Sequence, residues 1–104
     1  MEYNYEKIRE LLKEYYSLKA RSELMKKISP FHTKTKEFYV LSQCLGVLQV
    51  DDRALVEAVL IEKVGLRKYG KVIHLSHTTV MRRLEKIVRM LTEIFNEYLS
   101  ELLG

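Results

Sequence analysis

The chain has 104 residues, which is enough for one domain with a modest core and too few for two. Apolar residues make up 47% and charged residues 31%, which is typical of globular proteins and excludes a disordered chain. No long apolar run and no basic start followed by an apolar stretch is present, so we expect neither a membrane span nor a secretory signal. A single cysteine, Cys44, cannot form an internal disulfide, which favours a cytoplasmic location.

The positive charge is concentrated in one segment. Residues 63–89 contain one acidic side chain, Glu85, and eight basic ones, which gives this segment a charge of +7 in a chain whose net charge is +4. We call this segment the basic block, and its cations are Lys63, Arg67, Lys68, Lys71, Arg82, Arg83, Lys86 and Arg89. Such a block is typical of a nucleic-acid site, and on charge alone a solvated face or a surface for an acidic protein is an equal alternative.

The first half of the chain predicts two helices. With one proline, four glycines and no alternating strand pattern, the whole chain is predicted to be all-α, with about five helices. The first helix is predicted from Asn4, its N-cap, to Ile28, where Ser29-Pro30 ends it. The second is predicted from Thr33 to Leu48, with Cys44 as a small buried side chain. The predicted buried positions are Tyr5, Ile8, Leu12, Tyr15, Leu18, Leu24 or Met25, Phe38, Leu41, Leu45 and Leu48.

The second half predicts three more helices. A helix from about Asp52 to Lys63, capped by Asp51 or Asp52, is expected to end at Gly65 in the left-handed conformation. A short helix from Leu66 to Ile73 and a turn follow. Ser76 is then the predicted N-cap of a long helix that reaches about Leu103. The predicted buried positions of the helix from about Asp52 to Lys63 are Leu55, Val56, Val59 and Leu60. Those of the long helix are Val80, Leu84, Ile87, Leu91, Ile94, Tyr98 and Leu102.

We expect a single domain over residues 1–104, with an N-terminal helix (1–30), a helix-turn-helix region (50–91) and a C-terminal helix extension (91–104). The apolar stripe of the last helix is either packed by the first two helices or used to dimerise. At about 1.5 Å per residue this helix is roughly 40 Å long, more than so small a domain can cover, which favours a homodimer. The N-terminal tyrosines fit an interface or half-buried packing equally well, and they are Tyr3, Tyr5, Tyr15 and Tyr16.

The segment from Leu66 to Arg89 has the residues that a helix-turn-helix needs. Gly70 is the small residue where two helices cross, Ser76 caps the second helix, and the mini-core is predicted to be Tyr69, Ile73, Leu75, Val80 and Leu84. The side chains predicted to contact base edges in the major groove are His77, Thr78, Thr79, Arg82 and Arg83. Those predicted to contact phosphates are Arg67, Lys68, Lys71, Ser76, Lys86 and Arg89.

The string YGKVIHLSHTTV, over residues 69–80, resembles the helix-turn-helix of sigma factor region four. It is also similar to the ArpU and RinA-like late-gene transcription regulators of phages of Gram-positive bacteria. The matching residues are Leu75-Ser76 and Thr78-Thr79-Val80, continued by Arg82-Arg83-Leu84. The resemblance covers about residues 50–91 and implies a phage or prophage regulator that binds double-stranded DNA.

Two positions depart from that pattern. Gly70 stands where alanine is commoner, which suits close packing but lowers helix propensity. His74 stands where a turn glycine is expected, so it must either avoid the left-handed conformation or adopt it at some strain.

No enzymatic activity, cofactor or metal site is expected. Residues 65–72 nearly match a phosphate-binding loop, but Val72 has no hydroxyl for Mg²⁺. His74 and His77 straddle the turn, and no further ligand completes a metal site. The competing hypothesis is a protein-interaction module, in which the tyrosine-rich first helix and the apolar stripe of the last helix bind a host protein such as RNA polymerase.

Overall fold

The computed structural model describes residues 2–29 and 32–103, and this part of the chain contains six α-helices and no strand. The predicted all-α fold is therefore confirmed. A π-helical turn, Glu57–Ile61, continues the fourth helix. The helices are α1 (Tyr5–Lys13), α2 (Tyr15–Ile28), α3 (Thr33–Gly46), α4 (Val50–Val56), α5 (Leu66–Ile73) and α6 (His77–Leu103).

The central element is α6, and α1, α3, α4 and α5 all pack against it, whereas α2 packs mainly on α3. Its 27 residues extend about 40 Å, close to the full 45 Å length of the molecule. The buried face of α6 consists of Val80, Leu84, Ile87, Val88, Leu91, Phe95 and Leu99.

The predicted buried positions of α6 are correct as far as Leu91. Beyond Leu91 the residues that are buried differ from the predicted ones. Phe95 and Leu99 are buried, Ile94 and Tyr98 are half-buried, and Leu102 is exposed. Neighbouring helices thus cover most of the stripe within a single chain and leave Leu102 exposed. The homodimer stays a prediction.

The first predicted helix is in fact two helices, which meet at Glu14 (φ −102°, ψ 22°). Asn4 caps α1 as predicted, because its side chain accepts a hydrogen bond from the Lys7 amide at 2.8 Å. The break lets α1 lie on α6 while α2 follows α3. Of Leu24 and Met25, the two alternatives for the last buried position, Met25 is half-buried and Leu24 is exposed. Pro30, which the sequence suggests as the end of this helix, lies outside the described residues.

The third predicted helix begins earlier than expected. Gln49 is the N-cap of α4, so Asp51 and Asp52 lie in the first turn, where their charges stabilise the positive end of the helix dipole. The π-helical turn adds one residue to the helix, and so Ile61 is buried whereas Val59 is only half-buried.

The left-handed residue after this helix is Lys63 (φ 61°) and not Gly65. Gly65 has an extended conformation (φ −62°, ψ 148°) and is the N-cap of α5. Since the π-helical turn ends at Ile61, the position that reverses the chain falls on Lys63, two residues before the glycine.

Tyr3 fastens the N-terminal segment to α3 and α6. Its amide donates to Asn96 Oδ1 and its carbonyl accepts from Asn96 Nδ2, both at 2.8 Å. Its ring centroid lies 4.8 Å from that of Phe95, and its hydroxyl donates to Glu37 at 2.8 Å. Burial, together with the bond to Glu37, raises the pKa of the Tyr3 hydroxyl above its ordinary value.

The other N-terminal tyrosines mostly pack against the core. Tyr5 and Tyr15 are half-buried, and the Tyr15 hydroxyl shares a hydrogen bond with Ser42 at 3.2 Å. Tyr16 is 58% exposed, and its hydroxyl donates to Glu62. Packing therefore accounts for Tyr3, Tyr5 and Tyr15, and only Tyr16 keeps most of its side chain in solvent.

Cys44 is buried as predicted, and burial raises the pKa of its thiol to about 11. Because the thiolate is the reactive form, we expect Cys44 to react with a disulfide reagent at about pH 8 much more slowly than an exposed cysteine. The rate can be followed optically in the native and the unfolded protein. Ser100→Cys in a Cys44→Ala background supplies an exposed reference. Equal rates for the two native proteins would contradict the prediction.

Candidate nucleic-acid interface

Gly70 is the point where α5 crosses the start of α6. A Cβ atom added to this buried glycine would lie closer to the Leu75 carbonyl oxygen than real Cβ atoms come, and 3.5 Å from Val80 Cγ2. A larger side chain therefore requires the turn or α6 to move. Gly70 is thus the small crossing residue that the sequence predicts.

The turn after α5 adopts a Schellman arrangement. His74 is left-handed (φ 61°, ψ 40°), and its amide donates to the Lys71 carbonyl at 3.4 Å. The Leu75 amide donates to the Gly70 carbonyl at 2.8 Å, and the Leu75 side chain packs against the core. His74 thus adopts the left-handed conformation instead of avoiding it. This strain costs about 1–2 kcal/mol of folding free energy.

Ser76 caps α6 as predicted. Its Oγ accepts a hydrogen bond from the Thr79 amide at 3.2 Å, and the two hydroxyls share a second bond at 2.9 Å. The Thr79 hydroxyl is therefore engaged within the cap. The start of α6 is held rigidly by this cap, by the turn and by the close approach at Gly70.

The basic block covers the outer surfaces of α5 and of the first half of α6. Arg82, Lys86 and Arg89 follow each other at steps of four and three, which places them on one face of α6. No salt bridge among the described residues involves the basic block. The predicted site residues that are exposed are Arg67, Lys68, Lys71, Ser76, Arg82, Arg83, Lys86 and Arg89, and those that are half-buried are His77, Thr78 and Thr79.

The structure adds Tyr5 and Arg9 of α1 to this surface. The Arg89 guanidinium lies 5.1 Å from the centre of the Tyr5 ring, a cation–π contact that restrains the arginine. Arg9 Nη1 donates to the Tyr5 hydroxyl at 3.2 Å, which brings a further cation beside the block. Neither residue was predicted to belong to this surface, because no local sequence pattern links α1 with positions so far along the chain.

Fold and surface together define an all-α protein with a basic helical face. No protein-family model, curated protein or solved structure matches the chain. In the part of the chain that the structure describes, no group of three His, Cys, Asp or Glu side chains is suited to a metal ion, and no helix has both the length and the hydropathy to span a bilayer.

Gly70→Ala should lower the free energy of unfolding by about 1–3 kcal/mol, because its methyl group has no space beside the Leu75 carbonyl. Gly46→Ala is the matched control, since a Cβ at Gly46 meets nothing within 4 Å. Urea denaturation of the two variants and the wild type measures the difference. Equal stabilities of the two variants would show that the crossing tolerates a side chain.

His74→Gly should raise the free energy of unfolding by about 0.5–1 kcal/mol. Relief of the left-handed strain at His74 contributes about 1–2 kcal/mol. This gain exceeds the free-energy cost of the conformational entropy that glycine adds to the unfolded chain. Lys71→Gly, inside α5, is the control, and its free energy of unfolding should fall by about 1 kcal/mol. Thermal or urea unfolding checks both changes. A His74→Gly protein less stable than the wild type would mean that the histidine side chain itself stabilises the turn.

Proposed function

We propose that the chain is a sequence-specific, double-stranded DNA-binding transcriptional regulator in which α5, the turn and α6 form a helix-turn-helix. The observation that carries the proposal is the rigidly held start of α6 within the basic block. The resemblance of residues 69–80 to phage regulators adds that the chain is phage or prophage encoded. Such a regulator acts in the cytoplasm of the host cell, where the DNA is.

In this proposal the start of α6 enters the major groove. Arg82 and Arg83 are exposed, and an arginine can donate two hydrogen bonds to the O6 and N7 atoms of one guanine. His77 and Thr78 lie one turn earlier and contact the adjacent bases. Because the Thr79 hydroxyl is engaged with Ser76, Thr79 offers its methyl group, which can contact the methyl group of thymine.

Phosphate contacts flank the groove. The exposed cations Arg67, Lys68 and Lys71 of α5 face one strand, and Lys86 and Arg89 of α6 face the other. The Tyr5 ring holds Arg89 in place, so that less side-chain entropy is lost when the arginine binds a phosphate. Ser76 can donate its hydroxyl proton to a phosphate while its oxygen still caps α6.

The alternative, a protein-interaction module for a host protein such as RNA polymerase, has less support. Its two proposed surfaces are the tyrosine-rich first helix and the apolar stripe of α6. Most of these residues are occupied by packing within the chain, as Tyr3, Tyr5 and the buried face of α6 show. The cations of the basic block, which form no salt bridge with any described residue, remain the better-presented surface.

The proposal predicts binding to mixed-sequence duplex DNA whose affinity falls linearly on a log–log plot against salt, as bound counterions are released. Replacing both Lys71 and Lys86 by alanine should weaken binding to all sequences and reduce the salt slope by about two. Replacing both Arg82 and Arg83 should abolish the preference for sequences enriched from a random pool. Fluorescence anisotropy measures both effects.

The matched control replaces Lys19 and Lys26 of α2, which removes the same charge outside the block. It should leave both the salt slope and the sequence preference unchanged. Absence of binding even at low salt would overturn the DNA proposal. A stable complex with a host protein that is indifferent to Arg82 and Arg83 would favour the alternative.

A further inference from the structure

The outer face of α2 carries exposed apolar residues that no described residue covers. Of the side chains of α2, Leu18 and Ser22 are buried, whereas Leu24 is 61% and Ile28 is 78% exposed. With Ala20, these two residues recur every four positions and form one strip, and Arg21 and Lys27 flank it. We define the α2 strip as Ala20, Arg21, Leu24, Lys27 and Ile28.

The second half of α6 presents a strip of opposite charge. Residues 90–104 contain three glutamates and no basic residue. Met90 is 40% exposed, Ile94 is half-buried, and Glu97 and Glu101 are exposed. Steps of four, three and four place these residues along one side of the helix, and we define the α6 strip as Met90, Ile94, Glu97 and Glu101.

The α6 strip lies in the second half of α6, away from the turn, and α3, against which α2 packs, is linked to this half near its own start. Near the start of α3, the Thr35 hydroxyl donates to the Ser22 carbonyl of α2 at 3.4 Å. Two residues further along α3, Glu37 is linked through Tyr3 to Asn96 of α6. Contacts made with the second half of α6 therefore leave its start clear.

We propose that two copies of the chain form a two-fold symmetric dimer in which the α2 strip of each copy packs on the α6 strip of the other. The strips are complementary in charge, each presents two large apolar side chains, and they are similar in length at about 12 and 17 Å. In a two-fold symmetric dimer the contact between an α2 strip and an α6 strip forms twice, so that neither strip of either copy is left exposed. The apolar residues supply the contact, and the charged rim selects the partner and sets the register.

The role of this dimer rests on the proposed function, since a symmetric regulator needs two copies to contact two half-sites. The interface itself requires no DNA. Its failure is therefore distinguishable from failure of the DNA proposal: monomeric protein that still binds duplex DNA would overturn the dimer alone.

The test is a charge exchange, followed by analytical ultracentrifugation without DNA at up to about 0.1 mM protein. One variant carries Arg21→Glu and Lys27→Glu, and the other carries Glu97→Lys and Glu101→Lys. Each variant alone places like charges together at both contacts, so its dimer should dissociate at least about tenfold more readily. An equimolar mixture places opposite charges together at both contacts and should restore the dimer.

The control is Lys19→Glu with Lys26→Glu, which changes the charge of α2 by the same amount on its other side and should dimerise like the wild type. Restoration in the mixture also shows that both variants are folded, because a misfolded chain cannot be rescued by its partner. Monomeric wild type, or two weakened variants that fail to restore each other, would overturn the proposal. Binding of a separate acidic protein by the monomer would assign the α2 strip to that partner instead.

Discussion

Burial of one face of α6 is the constraint on which the rest of the structure depends. A fully buried aliphatic or aromatic side chain contributes about 1.5–3 kcal/mol, and this face holds seven of them over 27 residues. No single short helix can cover a face of that length, so α1, α3, α4 and α5 share it. The Glu14 break lets α1 lie on α6 while α2 follows α3, and the π-helical turn at residues 57–61 packs on α1 and α5.

The exposed side of α6 carries charged surfaces. Its start is basic and its end is acidic, and the change of sign falls between Arg89 and Glu93. Arg89 is held by Tyr5, and Tyr5 itself packs against the core, so the edge of the basic face is attached to the most rigid part of the molecule. Core packing thereby determines where the cations lie, although none of them is buried.

Sequence patterns predicted the parts of the fold that local chemistry determines. The Asn4 and Ser76 caps and the Gly70 crossing follow from short-range hydrogen bonding or from side-chain size, and the structure has them where predicted. The break at Glu14 follows instead from tertiary packing, because no local residue there favours the end of a helix. The contact between Tyr5 and Arg89 was not predictable for the same reason, since only the folded core brings α1 beside α6.

The two left-handed residues distinguish the α5 region by its backbone geometry. Lys63 and His74 stand immediately before and after the α5 region, each at φ 61°, where glycine would be free of strain. Gly65 lies two residues from the first of these positions without taking it, and its own backbone is extended. Strain of this kind persists only where the surroundings determine it, and it clusters at functional sites. Lys63 belongs to the basic block and His74 adjoins the start of α6, so both strained positions border the surface that is proposed to contact DNA.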